Sequence, residues 1–183
     1  KMVTSAWVEL KNEEDPDSPE TPDTFWYYFE KDGKSAVSKW VKFDSKWYYF
    51  DESGHMATGK TEIDGATYYL GTEKDGFMRT GWIRLEENSH APGASWYYFN
   101  SDGKMVTTQY DKKIDGSYYT FIDGKMQTGW VLMPSGSDAD ATGSNAAVPN
   151  VTDYQYYGPS GDGKRAEGFH SIEGISGIHE ADE

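Results

Sequence analysis

Residues 47–56 read Trp-Tyr-Tyr-Phe-Asp-Glu-Ser-Gly-His-Met, and this decapeptide decides how the rest of the chain is read. Four consecutive aromatic residues favour an extended strand, because rings pack well on a pleated surface. The glycine that follows stops the strand, and the methionine lies two residues beyond it. Working outward, the pattern returns along the whole chain. Trp26-Tyr27-Tyr28-Phe29 leads to Asp32-Gly33, Thr67-Tyr68-Tyr69-Leu70 to Asp75-Gly76, and Trp96-Tyr97-Tyr98-Phe99 to Asp102-Gly103. Ser117-Tyr118-Tyr119 leads to Asp123-Gly124, and a degraded Gln155-Tyr156-Tyr157 to Asp162-Gly163, which makes six copies. Internal repetition at such a period is the signature of a stacked array.

Methionine recurs two residues after the glycine at Met56, Met78, Met105 and Met126, with Ser35 and Arg165 in its place in the first and last copies. A register this regular points to packing between repeats. A further aromatic residue then follows, as in Thr80-Gly81-Trp82 and Thr128-Gly129-Trp130, with Trp40, Tyr110 and Phe169 in similar places. Lys1-Met2-Val3-Thr4 repeats Lys104-Met105-Val106-Thr107 letter for letter. That match puts position 1 just after the glycine of a preceding copy and predicts a fragment of a longer protein.

Between the short strand and the aromatic run lies a turn. Asp64-Gly65 and Asp115-Gly116 suit a two-residue hairpin loop with positive φ at both positions, and Asp44-Ser45 fills the same slot less well. In the other units the turn swells into loops expected at Glu9–Thr24, Glu86–Ser95 and Pro134–Asp153, rich in Pro, Asp, Ser, Gly and Ala. A lone hairpin is not stable in water, so successive hairpins must bury their rings against one another. The expected fold is all-β, an elongated β-solenoid of about six tandem β-hairpin repeats. One array spans residues 1–183, with repeats near 7–39, 40–59, 60–81, 82–109, 110–129 and 130–168.

Composition fits this reading. Of 183 residues, 14 are Tyr, 8 Phe and 7 Trp, and the rings take the packing role that aliphatic side chains have elsewhere. The net charge of −14 shows no basic footprint for nucleic acid and opposes anionic surfaces, while neutral sugars and cations stay compatible. No apolar run has the length of roughly 18 residues that a membrane helix needs. With no cysteine, disulfides and thiolate metal sites are impossible.

The ordered pattern Gly-Trp, Trp-Tyr-Tyr-Phe, Asp-Gly-x-Met-x-Thr-Gly resembles the cell-wall-binding repeat family. That family includes choline-binding modules of Gram-positive surface proteins, glucan-binding repeats of glucosyltransferases and the repeat regions of large clostridial toxins. The resemblance implies a non-catalytic binding module of a secreted bacterial surface protein, located at the cell wall or cell surface, that attaches it to a cell-wall polymer, choline or carbohydrate. It implies neither a cofactor nor membrane insertion. In the choline-binding branch three rings cage the quaternary ammonium: one from the Gly-Trp position, one from the start of the aromatic run, and the Gly-Trp ring of the next repeat. Carried onto this chain, the cages are Trp7, Trp26 and Trp40, then Trp82, Trp96 and Tyr110. Trp40 and Trp47 form two walls with Lys60-Thr61 at the third; Tyr110 and Trp130 flank Ser117; the last unit has Gln155 and Phe169.

Two other readings stay open on the sequence: a spacer or adhesin stalk presenting its loops to a host protein or glycan, and a toxin-like receptor-binding region. The histidines His55, His90, His170 and His179 show no metal or catalytic spacing and are expected at the surface. The acidic groups Glu13, Glu14, Asp15, Asp17 and Asp138, Asp140 do not follow the alternate-oxygen calcium pattern and read as solvated loop charge. Asn150-Val151-Thr152 is a glycosylation sequon by letter alone. Repeated carboxylates belong to turns, which argues against an enzyme.

Overall fold

The computed structural model describes residues 3–13, 22–86, 93–134, 154–158 and 162–167. Every regular element among them is a strand. The chain forms two compact units, Lys1–Val106 and Thr107–Glu183. In the first unit, four antiparallel hairpins follow one another: β1 (Ala6–Lys11) with β2 (Thr24–Phe29), β3 (Lys39–Phe43) with β4 (Lys46–Phe50), β5 (Lys60–Ile63) with β6 (Ala66–Tyr69), and β7 (Gly81–Glu86) with β8 (Ala94–Phe99). In the second, β9 (Gln109–Ile114), β10 (Ser117–Ile122) and β11 (Lys125–Met126) form a three-stranded sheet, and β12 (Gly129–Leu132) pairs with β13 (Tyr154–Tyr157).

The tight turns have the expected chemistry. Asp64 and Gly65 take φ of 50° and 75°, and Asp115 and Gly116 take 48° and 88°. Asp44 and Ser45 adopt the same left-handed pair at 46° and 64°, so a serine holds a conformation that suits glycine. The long loops begin later than the composition suggested. Glu9, Leu10 and Lys11 are strand residues paired with Trp26, Phe25 and Thr24, and Leu85 and Glu86 pair with Ser95 and Ala94. The ladder continues because the alternating pairing outlasts the polar letters. Asn12 closes the first ladder, its amide donating to the Asp23 carbonyl at 2.8 Å and its side chain to the Pro22 carbonyl at 3.1 Å. Residues 14–21, 87–92 and 135–153 lie outside the described residues.

Residues alternate sides along each strand, and the fourth residue of every aromatic run after the first forms the core, Phe29 being only partly buried. Phe50, Leu70, Phe99, Phe121 and Tyr157 are fully buried. The second residue joins it, since Tyr68, Tyr97 and Tyr119 are buried too. The first and third residues look the other way: Trp26, Tyr28, Tyr49, Tyr69, Trp96 and Tyr98 are partly covered there, Trp47 is exposed, and Thr120 alone among them is fully buried.

The methionine register has a backbone cause. In the first unit the Met56, Met78 and Met105 amides donate to the carbonyls of Trp26, Trp47 and Thr67, the first residue of the preceding hairpin's aromatic run, at 2.7–2.8 Å. The Met56 and Met78 side chains then sit against the turn glycine of the following repeat. A Cβ on Gly76 would run into the Met56 sulfur, and one on Gly103 into the Met78 sulfur. Both glycines also hold positive φ, at 53° and 77°, so turn and methionine select glycine together.

Candidate binding site

The second and third hairpins build a groove of about 470 Å³. Its apolar side is Trp40 from β3, Trp47 from β4, Tyr68 from β6 and Met78 from the linking segment. Ser101, Asp102 and Lys104, from the turn after β8, line the other side. Trp40 meets Tyr68 edge-on at 5.0 Å between ring centroids and Tyr49 at 5.2 Å. The Met78 amide is fixed to the Trp47 carbonyl at 2.7 Å, which sets the thioether beside the rings. Trp47 stays 41% exposed, so its ring is open to a ligand. Burial, then the carboxylates of Asp44 and Asp75, raise the phenol of neighbouring Tyr48 above its ordinary range, so the ring stays neutral. Three rings and a soft thioether attract a cation that cannot donate strong hydrogen bonds, and the Asp102 carboxylate adds an attraction that the Lys104 ammonium on the same side opposes.

The first and second hairpins bring a second set of rings together around Trp7. Trp7 lies 6.5 Å from Trp26 and 4.8 Å from Tyr48, both edge-on, with Phe43 at 5.8 Å. The expected grouping put Trp40 third. The second hairpin brings Tyr48, Phe43 and Phe50 to Trp7, with Tyr48 nearest, while Trp40 packs on Tyr49 and Tyr68 in the next groove. Both grooves therefore take their third ring from the second residue of the next aromatic run. Tyr68 faces Thr61 across β5 and β6, so a ring occupies the place that the letters Lys60-Thr61 left empty.

The model of the choline-binding repeat matches residues 37–82, the stretch that holds Trp40, Trp47, Tyr68 and Met78, and that of the putative cell wall binding repeat matches residues 93–105. The chain belongs to the choline-binding and cell-wall-binding repeat family. Choline binding protein F of Streptococcus pneumoniae is 31% identical, with a TM-score of 0.59 over 88% of this chain and 42% of that one. The same protein in the presence of a peptidoglycan analogue, a tetrasaccharide-pentapeptide, gives 33% identity and a TM-score of 0.56 over 78% and 38%. CbpJ of the same organism gives 26% and 0.58 over 88% and 42%. The chain thus spans about two fifths of these proteins. No curated protein sequence matches it.

The remaining family positions depart from the two full grooves. Trp82 and Trp96 stand 6.5 Å apart and edge-on, with Tyr98 5.1 Å from Trp82; Tyr110 belongs to the second unit. Where Trp40 would have its counterpart in the third hairpin, Lys60 sets its ammonium 5.2 Å over the Tyr97 ring. Trp130 is 49% exposed and 5.3 Å from Tyr156.

Two positions that read as ringless carry rings after all. The β9–β10 register shifts between Tyr119 and Phe121, so the run is Tyr118-Tyr119-Thr120-Phe121 and its first residue is Tyr118, not Ser117. Trp130 pairs with Tyr156 and Leu132 with Tyr154, which makes Tyr154 the first residue of the last run and Gln155 its second. Phe169 lies outside the described residues. His55 is not a surface residue: its ring stacks flat on Phe25 at 3.8 Å, and its Nδ1 lies 3.7 Å from Asp51. His90, His170, His179, the groups at 14–17 and 138–140 and the sequon at 150–152 lie outside the described residues.

Proposed function

We propose that this chain is a non-catalytic module that attaches a secreted bacterial protein to its cell wall by holding quaternary ammonium groups, choline foremost, in aromatic grooves between hairpins. The groove of Trp40, Trp47, Tyr68 and Met78 carries the reading, because three rings and a thioether line one side of it, facing Ser101, Asp102 and Lys104 on the other. The Trp7, Trp26 and Tyr48 set is a second site, and Trp82 with Trp96, Tyr110 and Trp130 supply the remaining family positions. The hairpins continue as an elongated solenoid, and the whole chain acts as one array. At about 1–2 kcal/mol per desolvated ring, one groove holds choline in the millimolar to high-micromolar range. Several grooves on one polymer raise that through effective concentration. The names of the similar proteins point to the same ligand, choline, and to the same polymer, peptidoglycan.

Choline titration followed by tryptophan fluorescence tests the reading. The parent should respond and saturate within roughly 0.1–10 mM, and Trp47→Ala should lose the part of the response that belongs to its groove. The neutral isostere 3,3-dimethylbutan-1-ol should give no response. Equal responses to the alcohol and to choline, or none to choline up to about 100 mM, would end it.

A further inference from the structure

The groove of the second unit is built on the same frame but holds a different set of groups. Tyr118 occupies the place of Trp26 and Trp47, and Gln155 that of Tyr48 and Tyr68. Arg165 stands where Met56 and Met78 stand. The backbone match is close: the Arg165 amide donates to the Tyr118 carbonyl at 2.8 Å, as the Met56 and Met78 amides donate to Trp26 and Trp47. The side chain does something a methionine cannot. Its guanidinium lies over the Tyr118 ring, 4.3 Å from the centroid, and Nη1 pairs with Asp111 at 2.7 Å. Asp111 is itself held by the Tyr157 hydroxyl, which donates to it at 2.6 Å. Gln155 offers no π-face, and its Oε1 is buried without a hydrogen-bond partner.

A cation over an aromatic face, neutralised by a fixed carboxylate, is what an aromatic groove of this family would present to a bound ammonium. Here the chain supplies that cation itself. We propose that Arg165 is a built-in ligand of the groove between the fifth and sixth hairpins, so that this groove takes no external quaternary ammonium until the arginine is removed. The proposal rests on reading the grooves as cation sites, and it sets which of them are open. Binding there would have to displace a guanidinium that keeps both its ring contact and its ion pair, and the external ligand would bring no new partner for Asp111 beyond its charge.

Arg165→Met installs the residue that the same position carries in four other repeats. Equilibrium dialysis with labelled choline should find one more bound choline per chain in this variant than in the parent. An unchanged count in a variant with parental circular dichroism would overturn the proposal. In the parent, the assigned Tyr118 ring resonances should stay in place during a choline titration, and a saturable shift would overturn it without any variant. A separate arm does not depend on choline binding elsewhere. Arg165→Ala should lose thermal stability, and about 50 mM tetramethylammonium chloride should recover part of it relative to sodium chloride at equal concentration, as expected of a ligand that binds only the folded state. The parent should show no such gain. Equal effects on both, or on neither, would count against a built-in ligand. A parent that binds no choline while Arg165→Ala is rescued would sink the proposed function and leave this inference standing.

Discussion

The Trp40 groove and the Tyr118 groove share a backbone and differ in chemistry. Both rest on a hairpin whose fourth aromatic position is fully buried, Phe50 in one and Phe121 in the other. Both are fastened to a linking segment by an amide-to-carbonyl bond at the first aromatic position. In one the lining is three rings and a methionine opposite Asp102 and Lys104; in the other it is one ring, an amide and a guanidinium paired with Asp111. The comparison teaches that frame and site are separable here. The buried residues and turn glycines keep the repeat in register, and the outward residues are free to set what each groove accepts.

Separating the two faces gives the largest expected effect. Phe50→Ala should cost about 3–5 kcal/mol, as deletion of a fully buried ring does. Trp47→Ala, three residues away on the open face, should cost about 1 kcal/mol or less while removing the groove's ligand response. Chemical denaturation of the two variants checks this, and equal losses would mean that the open face is part of the core.

Alkaline pH should weaken the second unit through Tyr157. Burial, and then the hydrogen bond to Asp111, push the Tyr157 phenol up to about 12. A folded pKa above the unfolded value of about 10 means that the protonated tyrosine stabilises the fold. That contribution is complete below pH 10 and is lost as pH rises through 12. Unfolding of the second unit followed by circular dichroism should therefore set in over that window, and Tyr157→Phe should remove the dependence. A profile unchanged by Tyr157→Phe would show that another group controls it.

A smaller effect lies in the turn below the Trp40 groove. Ser45→Gly removes a side chain from a left-handed position, φ 64°, and should stabilise the first unit by about 1 kcal/mol, read as a raised melting temperature. The same substitution should leave choline binding untouched, because the turn belongs to the frame.

The frame was legible in the letters. Asp64-Gly65 and Asp115-Gly116 announce their turns, and the aromatic runs announce the strands that follow. The grooves were legible only in part, because their third ring comes from across the next hairpin. Tyr68 reaches the Trp40 groove through its pairing with Thr61, and no local spacing reports that. The identity of the first ring in the fifth repeat was hidden by an irregularity at Asp111 and Thr120, which moves the register by one and puts Tyr118 where Ser117 seemed to stand. His55 looked like a surface turn residue, since its partner Phe25 lies in the preceding hairpin. The loop ends were misplaced because Glu9–Lys11 and Leu85–Glu86 pair as strands despite polar neighbours.

The central claim is that one frame carries an open cation groove and a closed one, and a crystal of the chain soaked in choline tests it most directly. The account predicts a trimethylammonium group between Trp40, Trp47 and Tyr68, beside Met78, and an undisturbed Arg165 over Tyr118. An empty Trp40 groove at saturating choline, or choline over Tyr118 with Arg165 swung away from Asp111, would contradict it.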